Sequence, residues 1–162
     1  MTISYLKKAE KSSATGEDDT RATVARMLAE IEAGGEQVCV DYAAKLDGYH
    51  GNILVTSDDI DQATSRLTQQ VKDDIRFAHE RVDKFAQRQR QALQDFEVEL
   101  SPGLWAGQRQ IPVQTAGCYI PGGRYSHVAS AIMSVATAKA AGVKHVVACS
   151  PPKPGTGVND AI

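Results

Sequence analysis

The segment from residue 116 to residue 149 constrains the fold of this chain more than any other. An apolar strand, Ala116 to Ile120, leads into a proline–glycine turn, Pro121 to Tyr125. An alanine-rich helix is predicted to begin at Ser126 or His127 and to end at Ala141, and a second apolar strand, Lys144 to Cys149, follows it. A strand–helix–strand unit of this length predicts two neighbouring parallel strands joined by a right-handed crossover.

The residues just before this unit change period. Phe96, Val98 and Leu100 alternate with two glutamates, as in a half-buried strand. Ser101-Pro102-Gly103 is a turn signal, and Leu104 to Val113 has the pattern of a second extended segment. Together they predict a β-hairpin.

The N-terminal part of the chain has helical patterns throughout. Helices are predicted from Glu17 to Ala33 and from Glu36 to Leu46, each closed by glycine. Ser57 is predicted to cap a further helix, because its hydroxyl can accept from free amide groups of the first turn. Apolar residues then recur every three or four positions from Ile60 to Phe85. This stripe predicts either one long helix or two with a break near Leu67–Thr68.

These elements predict an α/β chain: a helical arm, a β-hairpin and part of an incomplete Rossmann-like parallel sheet. We divide it into a helical region, residues 1–95, and the start of an α/β domain, residues 96–162. Two strands and one crossover leave a sheet edge and a sheet face uncovered. Val158 to Ile162 has the pattern of the first turn of another helix. We therefore expect the chain to be a fragment of a longer protein, truncated at its C-terminus.

Composition excludes some classes of partner. The formal net charge of −2 gives no overall basic field to attract nucleic acid or an anionic membrane. The apolar run from Val128 to Ala138 is too short to span a bilayer, and the N-terminus lacks a signal-peptide pattern. The default expectation is a cytoplasmic protein. Cys39, Cys118 and Cys149 include no C-x-x-C pair, and the last two are expected to be buried packing residues.

The glycine turn has two interpretations that the residues alone leave open. A strand that enters a helix through glycines can present backbone N–H groups and the positive end of the helix dipole to a phosphate. The turn carries neither G-x-G-x-x-G nor the P-loop pattern, so it can equally be a structural corner. Arg124 and His127, beside Gly122 and Gly123, are either an anion-binding pair or solvated loop residues.

A set of short motifs, in order, resembles the histidinol dehydrogenase family. "GCYIPGG" and the later "AKAAGV" and "CSPP" resemble that family's Gly-x-Tyr-[Val/Ile]-Pro-Gly-Gly, Ala-Lys-x-Ala-Gly-Val and Cys-[Ser/Thr]-Pro-Pro motifs. Upstream, "GGEQVCVDYAAKLDG" is similar to its Gly-Asp-x-Ala … Phe-Asp-Gly segment, with Glu36 in place of the Asp and Leu46 in place of the Phe. The resemblance extends over about residues 18–162.

The resemblance implies a homodimeric enzyme that requires zinc and NAD. Such enzymes oxidise a primary alcohol through an aldehyde to a carboxylate, and the namesake converts L-histidinol to L-histidine in histidine biosynthesis. Tyr119 matches the family's NAD-contacting tyrosine, and Pro121, Gly122 and Gly123 match the turn that the cofactor approaches. The family's zinc ligands and its Glu-His pair for proton transfer would lie beyond Ile162. No catalytic or metal-binding residue is therefore assigned here, and the fragment alone is expected to be inactive.

One departure bears on the substrate. After Pro-Gly-Gly, histidinol dehydrogenases usually continue Thr/Ser-Ala-Pro-Leu, whereas this chain has Arg124-Tyr125-Ser126-His127. That form is similar to the branch of sulfopropanediol dehydrogenases, which act on 2,3-dihydroxypropane-1-sulfonate. Arg and His at a helix N-terminus suit a sulfonate, so Arg124 and His127 are expected to face an anionic group of the substrate. The alternative from another class is a non-catalytic α/β binding module.

Overall fold

The computed structural model of the chain describes residues 15–122, 125–152 and 157–162. The helices and strands within them are α1 (Thr15–Gly34), α2 (Glu36–Asp47), α3 (Ser57–Arg66), α4 (Gln69–Ala92), β1 (Phe96–Ser101), β2 (Leu104–Gln108), β3 (Thr115–Tyr119), α5 (Val128–Ala140) and β4 (His145–Cys149). This order confirms the predicted fold class: a helical arm, then an antiparallel hairpin, then a parallel strand pair with its crossover helix. Among the described helices, none is both long and apolar enough to cross a membrane.

Glycines separate and end the first two helices, as predicted. Gly35 lies between α1 and α2 with a φ of 67°, and Gly48 ends α2 in the left-handed region with a φ of 62°. Side chains are strained at such φ values, and glycine is not. The reversal at Gly35 lets α1 and α2 pack against each other as a helical pair.

The apolar stripe of the arm belongs to two helices. The break falls at Leu67, which is extended with ψ at 140°, and Thr68 caps α4 by accepting a hydrogen bond from the Val71 N–H at 3.3 Å. The prediction of Ser57 as the N-cap of α3 is wrong by one residue. Thr56 is the cap: its hydroxyl accepts from the Asp59 N–H, and the Asp59 carboxylate accepts from the Thr56 N–H. This reciprocal pair satisfies two amide groups that a helix start leaves free.

The hairpin of β1 and β2 pairs as the alternating pattern predicts. The strands are antiparallel, with Val98 opposite Ala106 and Gly103 in the turn at a φ of 81°. The second strand is shorter than predicted, because it ends at Gln108. Both strands are exposed along their length, and no other described helix or strand packs against them.

The parallel pair of β3 and β4 confirms the strand–helix–strand prediction. The register runs from Thr115 opposite His145 to Tyr119 opposite Cys149. Helix α5 packs on one face of this sheet, and α4 packs on α5. The buried apolar residues come mainly from these layers: Ala86, Cys118, Ile120, Ile132, Ala136, Ala140 and Val143. The core of the described structure is therefore a sheet–helix–helix stack.

Two expectations about burial and one about the tail are wrong. Cys118 is buried, but Cys149 is exposed because no described element covers the second face of the sheet. Helix α5 buries only the face that carries Ile132, Ala136 and Ala140. Residues 159–162 form a single turn, in which the Ile162 N–H donates to the Asn159 carbonyl at 2.9 Å, instead of starting a helix.

Candidate functional site

The candidate site lies at the carboxyl ends of β3 and β4. Tyr119 is the last residue of β3, and its partner in the ladder is Cys149, the last residue of β4. Its neighbours Cys118 and Ile120 are buried on the side of α5, so strand alternation places Tyr119 on the open face, where it is 66% exposed. Open α/β sheets bind ligands outside the carboxyl ends of their strands. An exposed aromatic ring at this edge is available to stack on a flat ligand.

The turn after β3 is held close to the segment after β4. The Ile120 N–H donates to the Cys149 carbonyl at 2.8 Å, which extends the ladder by one residue. Pro121 and Gly122 follow and are half-buried. A Cβ atom on Gly122 would collide with the ring of Pro151. Gly122 therefore has a structural reason, since only a residue without a side chain lets these two segments pass each other this closely.

Two of the predicted site residues lie outside the described part of the chain, namely Gly123 and Arg124. On the far side of them, His127 is the N-cap of α5, and its carbonyl accepts from the N–H groups of Ser130 and Ala131 at 2.9 and 3.2 Å. The His127 side chain makes no capping hydrogen bond and is exposed. It therefore stands at the positive end of the helix dipole, free to meet an anion.

The sequence gave no warning of a polar group at the end of β4. The hydroxyl of Ser150 is buried and has no hydrogen-bond partner. Ser150 directly follows β4 and precedes Pro151, the residue that packs on Gly122. Buried hydroxyl groups are normally paired, because leaving one unpaired costs about 1–3 kcal/mol. The "CSPP" motif was noticed only as part of the family pattern, and no local signal marks this serine as buried.

A second contact holds the tail of the chain. Arg66, the last residue of α3, donates from Nε to Asp160 Oδ2 at 2.9 Å and from Nη2 to Oδ1 at 2.6 Å. The hydrogen bond to Asp160 raises the pKa of Arg66 above its ordinary value. Gly157, three residues before Asp160, approaches the ring of Tyr49 in the loop between α2 and α3. The arm therefore contacts the chain beyond β4.

The groove between α1 and α2 is a weaker candidate. Its lining is Arg26, Glu30, Ala33, Gly34, Val38, Asp41, Tyr42 and Lys45. The Tyr42 hydroxyl and the Arg26 guanidinium both donate to the Glu30 carboxylate, and these hydrogen bonds hold the pKa of Glu30 below its usual range. The polar groups of the groove are thus paired across the two helices, which is what a structural contact requires.

A sequence profile now decides the family. The profile described as "Histidinol dehydrogenase" matches residues 10–162. The chain belongs to the histidinol dehydrogenase family. A crystal structure of histidinol dehydrogenase from Elizabethkingia anophelis has the same fold, with a TM-score of 0.81 and 25% sequence identity over 98% of this chain and 34% of that one.

Two curated relatives from the family are more similar in sequence. The sulfopropanediol 3-dehydrogenase of Ruegeria pomeroyi is 55% identical over 162 residues, all of this chain and 37% of that protein. A histidinol dehydrogenase homolog of Pelagibacter ubique is 54% identical over 163 residues, all of this chain and 38% of that protein. The chain therefore spans little more than a third of the length of the curated relatives it matches.

The described residues differ in how well they suit the two cofactors that the family resemblance implies. Within residues 15–122, 125–152 and 157–162, no three His, Cys, Asp or Glu side chains come together as metal ligands do. These residues do not fit a zinc ion, and no step is derived through one. They do fit part of a dinucleotide site, since exposed Tyr119 and the bare backbone of Gly122 lie at the edge where such ligands bind.

Proposed function

We propose that this chain is the N-terminal part of a homodimeric, NAD- and zinc-dependent dehydrogenase. The enzyme would oxidise a small primary alcohol through an aldehyde to a carboxylate, and the zinc ligands would come from residues beyond Ile162. The observation that carries the proposal is Tyr119, which belongs to the family motif and is 66% exposed at the carboxyl edge of the sheet. A parallel strand pair with a crossover helix presents this edge as a ligand site.

The residues of this chain would bind and orient the dinucleotide. NAD, when bound, supplies the acceptor for the hydride. The ring of Tyr119 offers a flat apolar surface for one of the cofactor's rings, and its hydroxyl can hydrogen-bond at the ring's edge. Gly122, Gly123 and Pro121 form the turn along which the cofactor would run, and Gly122 keeps that turn low by passing beneath Pro151. These roles concern binding and leave the chemical step to the rest of the polypeptide.

The substrate is proposed to be 2,3-dihydroxypropane-1-sulfonate, which would be oxidised to sulfolactate. His127 supports this choice because it is exposed, uses no side-chain hydrogen bond for capping and stands at the positive end of α5. Arg124, three residues before it, would add a guanidinium, which binds oxyanions with two parallel hydrogen bonds. Similarity to the sulfopropanediol 3-dehydrogenase of Ruegeria pomeroyi points the same way. L-histidinol is the competing substrate.

The proposal is tested on the product of the complete reading frame. NADH formation is measured with each alcohol, in the wild type and in Tyr119→Ala. We expect Tyr119→Ala to raise the KM for NAD about tenfold, a change equivalent to losing one aromatic contact. Tyr125→Ala is the matched control, because Tyr125 lies in the same loop and is 72% exposed. If the wild type neither binds nor reduces NAD, the alternative of a non-catalytic module replaces this proposal.

The substrate is tested in the same assay with His127→Ala and Arg124→Ala. Each change is expected to raise the KM for the sulfonate about tenfold, because a charge-assisted hydrogen bond to the anion is lost. The KM for NAD should stay within about twofold in both variants, since they are aimed at the substrate only. A wild type that prefers L-histidinol, or variants with an unchanged sulfonate KM, would contradict the assignment.

A further inference from the structure

The contact between Arg66 and Asp160 joins residues that are 94 positions apart. The guanidinium of Arg66 meets both oxygens of the carboxylate, at 2.9 and 2.6 Å, so the pair is bidentate. A bidentate pair fixes orientation as well as distance, because the planar fork of the guanidinium matches the two carboxylate oxygens. The other ion pairs in the described structure, Arg26–Glu30 and Arg76–Asp73, each lie within one helix.

Helix α3 has few other ways to be held in place. No described helix or strand packs against α3, and none of its residues is buried. The Arg66 side chain is 55% exposed and that of Asp160 is 35% exposed. The pair is therefore a specific polar contact that ties the arm to the segment after β4, and it does not depend on an apolar interface around it.

The segment that follows β4 is held near both of its described ends. At its start, Pro151 packs on Gly122, in the turn that follows Tyr119. Near its other end, Asp160 is held by Arg66, and Gly157 lies against the ring of Tyr49. Since Pro151 contacts the proposed cofactor turn directly, the position of this segment determines the position of that turn.

We propose that Arg66 is a positioning residue for the dinucleotide site. It acts through Asp160 on the segment after β4, and through Pro151 on the turn that carries Gly122. The inference rests on the proposed function, because it assigns Arg66 a part in holding the site that Tyr119 marks. Arg66 itself touches neither cofactor nor substrate.

The test measures KM for NAD and kcat in the complete enzyme for Arg66→Ala, Asp160→Asn and the double variant. Either single change is expected to raise the KM for NAD about fivefold, the effect of losing one well-formed exposed pair, with kcat within about twofold. The double variant should match the single ones, because both remove the same contact. Arg66→Lys keeps the charge but not the fork, so it should recover only part of the affinity.

Arg76→Ala is the matched control. Arg76 forms an ion pair with Asp73 at 2.7 Å and is similarly exposed, but both partners lie in α4. This variant should leave the KM for NAD unchanged. Hydrogen exchange gives a second readout: amides of residues 157–162 should exchange faster in Arg66→Ala than in the wild type, while those of α4 do not change.

The outcomes separate this inference from the proposed function. A wild type that does not use NAD removes the proposed function and this inference with it. A wild type that uses NAD, with single variants whose KM for NAD stays within about twofold, overturns the role of Arg66 alone. Effects of the two changes that multiply in the double variant would also overturn it, since Arg66 would then act other than through Asp160. Should Arg66→Ala fold poorly, Asp160→Asn carries the same test with a residue of equal size.

Discussion

At the scale of single residues, Gly122 shows how one glycine serves both interpretations of its turn. It has no positive φ, so its backbone conformation does not demand glycine. The demand comes from Pro151, whose ring occupies the space that a Cβ atom would need. The same bareness keeps the backbone accessible at the edge where we place the dinucleotide. A structural corner and a ligand site are therefore compatible here, although the pattern of residues presented them as alternatives.

Gly122→Ala is expected to destabilise the protein by about 1–3 kcal/mol, because the added methyl group forces Pro151 or the turn to move. Chemical denaturation measures the free energy of unfolding of the variant and the wild type. Gly117→Ala is the control, since a Cβ atom on Gly117 in β3 would meet nothing within 4 Å. Equal losses in the two variants would show that Pro151 is not the cause.

At the scale of helices and strands, the elements followed from the sequence and the caps did not. Period, glycines and the turn at Pro102-Gly103 predicted the helices, the hairpin and the parallel pair to within a few residues. The N-cap of α3 was missed because Thr56 and Ser57 are both good capping residues. What distinguishes them is the reciprocal bonding between Thr56 and Asp59, a matter of backbone geometry at one residue.

The cap of α3 gives a prediction with a pH dependence. Thr56→Ala is expected to lower the stability of α3 by about 1 kcal/mol, whereas Ser57→Ala should change it little. Hydrogen exchange of the α3 amides measures both. In the wild type, hydrogen bonds from the Thr56 side chain and N–H hold the pKa of Asp59 below its usual range. The cap's contribution is therefore complete above the ordinary carboxyl pKa and is lost as pH falls through the lowered one.

An NMR titration of Asp59 checks the electrostatic half of that prediction. Its pKa should rise towards the ordinary value in Thr56→Ala and stay low in Ser57→Ala, because only Thr56 donates to the carboxylate. A carboxyl pKa that is the same in all three proteins would argue against the capping pair in solution.

At the scale of the whole molecule, long-range contacts were beyond the reach of sequence patterns. Local periodicity carries no information on which distant segments meet, so the pairing of Arg66 with Asp160 and of Gly122 with Pro151 appeared only in the structure. The importance of Tyr119 came from a family motif, since its chemistry alone does not distinguish it from Tyr125. The exposure of Cys149 also depended on what lies beyond the strand pair, which its apolar neighbours could not reveal.

The hairpin gives the prediction that concerns the whole polypeptide. Phe96, Leu104 and Trp105 are each more than half exposed, and no other described element packs on β1 or β2. An isolated two-stranded hairpin is only marginally stable in water. Because the chain spans about 37% of the length of a close relative, we expect the rest of a longer polypeptide to cover this hairpin.

The 162-residue chain is therefore compared with the product of the complete reading frame by hydrogen exchange. In the shorter chain, amides of β1 and β2 should exchange almost as fast as unfolded peptide, whereas those of α5, which packs on both the sheet and α4, should remain protected. In the complete protein, the hairpin amides should become as protected as those of α5. Hairpin protection that is already high in the 162-residue chain would mean that β1 and β2 are stable without further cover.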